Sequence, residues 1–150
     1  MAAAPPWSRR RAAWLARGSF ALIAVWIAAA MAFAHAGWSR LAAALELPLS
    51  LMCHRLPERV MVIGGTPMPL CSRCAGIWLG ISLGATIGWP ALPLRVLRVV
   101  VPCAVALLLL DVALQPLHPI WHSTRLGTGL FLGLSLGTGV GALITRELGS

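Results

Sequence analysis

The 150-residue chain contains no lysine and only four acidic residues, and charged side chains make up 11% of it. An ordinary soluble domain carries roughly a quarter charged residues. With 59% hydrophobic residues, this chain lacks the polar surface to cover a globule in water, which excludes a soluble domain. Also missing from the folded part is a long basic stretch with interleaved aromatics, so the net charge of +8 does not point to nucleic acid. A chain of this length is expected to form one unit.

What is present is arginine in particular places. Arg9, Arg10, Arg11 and Arg17 precede the first apolar run, and Arg95 and Arg98 lie between two later ones. That is how positive charge marks the cytoplasmic side of membrane segments. Residues 1–17 read as a basic leader expected to be mobile. Residues 18–146 read as one transmembrane domain of all-α class, a polytopic helix bundle in contact with the lipid bilayer.

Four spans are expected, at about 18–37, 71–90, 95–114 and 125–144, each near the ~20 residues needed to cross a hydrocarbon core. A secretory signal peptide ending near Ala34-His35-Ala36 is the alternative for the first, but its hydrophobic run exceeds the usual ~7–15 residues. Leu41–Met52 is short, contains Glu46 and Pro48, and reads as interfacial or re-entrant. Residues 53–73 form a loop rich in turn formers, among them Gly64-Gly65. Span two is expected to close at Trp89-Pro90.

With the leader inside, four spans place both termini in the cytoplasm of a cell membrane. Arg9, Arg10, Arg11, Arg17, Arg95, Arg98 and Arg146 then lie inside, and Arg40, Arg55, Arg59, Arg73 and Arg125 outside. The 53–73 loop and the His118–His122 loop fall on the outer face.

Spans two and four carry matching glycine ladders: Gly76, Gly80, Gly84 and Gly88 in one, Gly129, Gly133, Gly137 and Gly141 in the other. Residues four apart share a helix face, and small faces let membrane helices approach closely. Their expected role is packing.

The chemistry concentrates in Cys53-His54-Arg55 and Cys71-Ser72-Arg73-Cys74. Cys71 and Cys74 fall in the first turn of a helix, where the dipole and free N–H groups favour an anion, and Arg55 and Arg73 act the same way. Two chemistries use thiolates here. One is a tetrahedral metal site, zinc or next copper, with Cys53, Cys71 and Cys74 as ligands and His54, His118, His122 or, after these, Asp111 completing the set. The other is thiol–disulfide exchange by Cys71 and Cys74 with Cys53, as in small four-helix membrane oxidoreductases that pass electrons to quinone. A fixed disulfide, or an accessory subunit whose motif braces the fold, stands beside both.

Supporting residues surround these. Asp111 and Gln115 share a face of the third span, and an ionisable residue at membrane depth is a functional candidate, with pairing to Arg125 as the packing alternative. Arg55, Arg59 and Arg73, outside against the charge rule, invite lipid phosphate, an anionic ligand, Glu58 or Asp111. Cys103 reads as a small packed residue, and His35 has no evident partner. No protein partner can be named from the sequence.

The motifs Cys53-His54-Arg55-x-Pro57-x-Arg59 and Pro69-Leu70-Cys71-x-Arg73-Cys74-x-Gly76-Ile77 resemble those of a family of small prokaryotic membrane proteins known as a domain of unknown function. Asp111-x-x-x-Gln115 and Arg125-x-x-Thr128-Gly129 extend the resemblance, which covers roughly residues 50–142. Where the family is expected to carry Ser-Asn, this chain has Trp121-His122. The resemblance implies a multi-pass membrane protein and no established activity.

Overall fold

In the computed structural model, which describes residues 6–87, 93–117 and 121–149, the leader is helical from Pro6 onward. Helix α1 (Pro6–Gly18) leads into α2 (Ala21–His35) through turn hydrogen bonds, Ser19 N–H to the Leu15 carbonyl at 3.0 Å and Phe20 N–H to the Arg17 carbonyl at 3.1 Å. The alanine-rich sequence favours helix, and Arg17 anchors the last turn of α1. That side chain is 7% exposed; its Nε donates to the Ala85 carbonyl at 3.0 Å and its Nη1 to the Thr145 hydroxyl at 3.3 Å.

Helix α3 (Ser39–Met52) keeps Pro48 within it. Its 14 residues extend roughly 21 Å at ~1.5 Å per residue, too short to cross a core of ~30 Å. It packs back on α2, where Trp26 Nε1 donates to the Leu45 carbonyl at 2.9 Å.

A 3₁₀ turn (Pro57–Arg59) and a two-stranded hairpin, β1 (Val62–Ile63) with β2 (Thr66–Pro67), follow. Val62 pairs with Pro67 and Ile63 with Thr66. Gly64 and Gly65 make the two-residue turn with φ of +58° and +81°, the sign that hairpin turns matching strand twist require. Thr66 also gives His35 its partner, with Nδ1 and Oγ1 3.1 Å apart.

Helices α4 (Ser72–Ile87), α5 (Leu94–Leu114) and α6 (His122–Gly149) complete the chain. The stretches Arg10–His35, Arg95–Leu114 and His122–Glu147 are each long and apolar enough to cross a membrane. Large apolar side chains stand open to the surroundings on α5, such as Val99, Leu107 and Leu109. In lipid, an apolar outer surface of this kind is solvated by acyl chains. Cys103, expected to be packed, is exposed on this helix.

Helix α4, with 16 residues, is the packed centre of the molecule, with Ala75 and Ala85 fully buried. The last part of the expected second span, with Gly88 and Trp89-Pro90, lies outside the described residues. A β-carbon added at Gly80 would stand 2.6 Å from the Leu130 carbonyl oxygen, and one at Gly84 2.6 Å from that of Leu134. From the other side, a β-carbon at Gly137 would stand 2.5 Å from the Ile81 carbonyl oxygen. Gly76, Gly129 and Gly133 are equally hard against the facing backbone, and Gly141 lies near Ala85. The contacts climb together along both helices, so α4 and α6 run parallel, backbone on backbone.

This register sorts the molecule by its ends. Arg17 meets the ends of α4 and α6, whereas His35, at the end of α2, meets the hairpin. The starts of α4 and α6 therefore lie at the hairpin end. Here also sits the apolar core, built from Ile27, Leu49, Cys53, Met68, Leu70 and Ala75.

Candidate metal centre

Cys53 closes α3 in extended conformation, with φ −147° and ψ 130°, and is 6% exposed within the apolar core. Cys71 stands immediately ahead of α4 and Cys74 in its first turn. Backbone geometry, not chance proximity, joins them: the Cys71 N–H points at Cys53 Sγ at 3.3 Å. All three thiols are free, and their sulfurs lie within 4.8 Å of one another.

Those distances suit a shared ion. Zinc–sulfur bonds of ~2.3 Å in a tetrahedron place sulfurs roughly 3.8 Å apart, so closure asks for a contraction of at most about an ångström. Three thiolates so close would repel, and a dication among them removes that repulsion.

Of the histidines expected to complete the set, His54 lines the same cavity as the three cysteines, but no histidine nitrogen joins the sulfur cluster among the described residues. His122 is engaged elsewhere: its Nδ1 lies 2.9 Å from Ser72 Oγ. His118 falls outside the described residues.

The arginines are organised by helix ends. Arg73, on α4, pairs with Asp111 of α5 through Nη2 and Nε, the latter at 3.1 Å. Thr128 of α6 donates to the same carboxylate oxygen at 3.4 Å. Asp111 is thus the partner of Arg73, not of Arg125. Gln115, one turn on, faces Arg59; the amide orientation that satisfies both groups puts its oxygen toward the guanidinium, accepting from Nη2 at 3.1 Å and Nε at 3.3 Å. Arg55 donates to Glu46 at 2.7 Å, from a left-handed backbone with φ +45°, a conformation that costs a side-chain-bearing residue free energy and clusters at functional sites.

Two residues of this centre escaped the sequence reading. Ser72, fully buried, donates to the Arg59 carbonyl at 3.0 Å while meeting His122, and so ties loop, α4 and α6 together. Its only sequence signal was its place between Cys71 and Arg73. Glu46 carried none, since its partner lies beyond the end of its own helix.

The cavity beside the sulfurs has a volume of about 410 Å³, with Arg55, Arg59, Arg73 and Arg125 in its walls. A helical membrane protein with a thiol cluster and a ring of arginines at one end is the class that fold and site define. Residues 53–142 match the family described as "Predicted membrane protein (DUF2085)", and the chain belongs to it.

Two archaeal proteins resemble parts of it. An uncharacterized protein of Methanocaldococcus jannaschii is 38% identical over 50 residues, 33% of this chain and 32% of that protein. An uncharacterized protein of Methanothermobacter thermautotrophicus is 55% identical over 29 residues, 19% of this chain and 26% of that protein. The matched segments thus span about a third and a quarter of these relatives. No solved structure matches the chain.

Proposed function

We propose that this membrane protein holds one transition-metal ion, zinc or next copper, through Cys53, Cys71 and Cys74 on the outer face of a cell membrane. The observation that carries the reading is the convergence of three free sulfurs within 4.8 Å from two segments separated by the hairpin loop. Soft thiolate ligands select zinc or copper(I) over magnesium or calcium. His54, in the wall of the same cavity, is the imidazole we assign to the fourth position, reached by rotation of its exposed side chain.

The orientation rests on charge. Arg10, Arg11, Arg17, Arg95, Arg98 and Arg146 gather at the end opposite the cysteines, and that end is assigned to the cytoplasm. In this topology α4 crosses as the central, protein-packed helix, and both termini are cytoplasmic. The glycine ladders of α4 and α6 serve as the packing seam.

A second reading, thiol–disulfide exchange with quinone as electron acceptor, draws on the same proximity and on the partial exposure of Cys71 and Cys74. Elemental analysis of protein purified without chelator or added metal separates the two. About one zinc or copper per chain, lost in Cys71→Ser and kept in Cys103→Ser, is the expected result. No metal, with Cys71 and Cys74 oxidised and reducible, would overturn the metal reading in favour of exchange.

A further inference from the structure

Four guanidinium groups line the cavity beside the sulfurs, and their partners are unevenly shared. Arg73 has Asp111 and Arg55 has Glu46, while Arg59 faces the neutral amide of Gln115 and has no carboxylate within ion-pair distance among the described residues. Arg125 has no carboxylate within ion-pair distance among the described residues. It is 4% exposed, and its buried Nη1 has no hydrogen-bond partner among the described residues. A buried charged donor left unsatisfied is costly, and membrane helices place such charges where a ligand or cavity answers them.

Arg125 is placed there by the fold. The parallel seam of α4 and α6 brings the first turns of both helices to one level, so Arg125 joins Arg73 and the cysteines although the chain separates them by more than fifty residues. The guanidinium fork suits planar, two-point recognition of phosphate or carboxylate oxygens. The cavity, about 410 Å³, falls within the size range of small-ligand sites.

We infer that this cavity binds an oxyanion of the phosphate class, gripped by Arg125 together with Arg59. The group is either free in solution or the headgroup of an anionic lipid. The inference shares its cavity with the thiol cluster but rests on the arginines, so it stands apart from the metal reading.

The test uses the full chain in neutral detergent, titrated with inorganic phosphate by calorimetry, and in parallel the chain in phosphatidylcholine nanodiscs with and without phosphatidic acid, read by native mass spectrometry. Saturable phosphate binding, weakened at least tenfold in Arg125→Gln, supports a free anion. Retention of phosphatidic acid by the wild-type chain and not by Arg125→Gln supports a headgroup. Binding of neither by the wild-type chain overturns the inference. Should Arg125→Gln fail to fold, Arg125→Lys keeps the charge and removes the fork; at least tenfold weaker binding is expected, and unchanged affinity overturns the assignment. Cys71→Ser, expected to be metal-free, should still bind phosphate. Loss there would place the anion on the metal instead of on the arginines.

Discussion

Arg73 at the start of α4 and Asp111 near the end of α5 form an ion pair whose side chains are only 16% and 14% exposed. Thr128 of α6 donates to the same carboxylate oxygen, so three helices meet at one group. The pair ties the first turn of α4 to the end of α5, at the level of the arginine-lined cavity.

Removing one partner should therefore cost more than removing both. Asp111→Leu leaves a guanidinium without its counter-charge in a poorly hydrated place, a change worth about 3 kcal/mol for a buried pair. Arg73→Met with Asp111→Leu should recover much of that loss. Thermal unfolding in detergent across the double-mutant cycle checks this; additive effects of the two single changes would show that the pair is not coupled.

Gly80→Ala is expected to be severe. Its β-carbon would press on the Leu130 carbonyl at 2.6 Å, and overpacking of this kind costs about 1–3 kcal/mol or more when backbone must move. Gly127→Ala, with nothing within 4 Å of the added carbon, should be neutral or stabilise by up to ~1 kcal/mol through helix propensity. Comparing Tm of the two variants decides whether the seam, and not helix propensity, is what glycine serves.

Ser72→Ala removes a fully buried hydroxyl and leaves the Arg59 carbonyl and His122 Nδ1 without it. A loss of about 1–2 kcal/mol is expected for the stranded partners. Its signature is local: faster amide hydrogen exchange across residues 57–71 with α5 unchanged. Uniform change through all helices would instead mean that Ser72 acts on the whole fold.

If the three sulfurs hold a metal, chelation should loosen the molecule, because an ion that binds only the folded site adds stability in proportion to its affinity. A stripped sample should melt below the loaded one, and Cys53→Ser should abolish the difference. Identical melting curves, with metal verified in one sample and absent in the other, would mean that the ion does not tie the loop to α4.

The assigned topology predicts that a fluorescent protein fused after residue 150 will fluoresce and that alkaline phosphatase fused there will be inactive. Phosphatase inserted between Gly64 and Gly65, at the hairpin tip, should be active. The opposite pattern would invert the molecule and place the cysteines in the cytoplasm.

Much of the helical architecture was legible because its causes are local. Scarce charge, long apolar runs and arginine clusters mark membrane helices wherever they occur, and Gly64-Gly65 declared its turn through a backbone need that glycine meets best. The Cys-x-x-Cys spacing placed two thiols at one helix start. The helical leader was not legible, since what holds Arg17 is the Ala85 carbonyl and the Thr145 hydroxyl, both far along the chain. The same holds for the partners of Asp111 and His122.

By itself, then, the sequence determined that this protein lives against lipid, that it is helical, and which residue types its chemistry draws on, because hydropathy and helix periodicity are properties of neighbouring residues. Only the tertiary structure decided who meets whom. Parallel packing of α4 on α6, set by glycines whose backbones touch, aligns their first turns. That alignment brings Arg125 level with Arg73 and leaves it buried beside a cavity. The return of the 53–71 loop to the start of α4 gathers Cys53, Cys71 and Cys74, and the end of α5 gives Asp111 to Arg73. Such pairings depend on the register between distant segments, and register is a property of packed surfaces that no single segment contains.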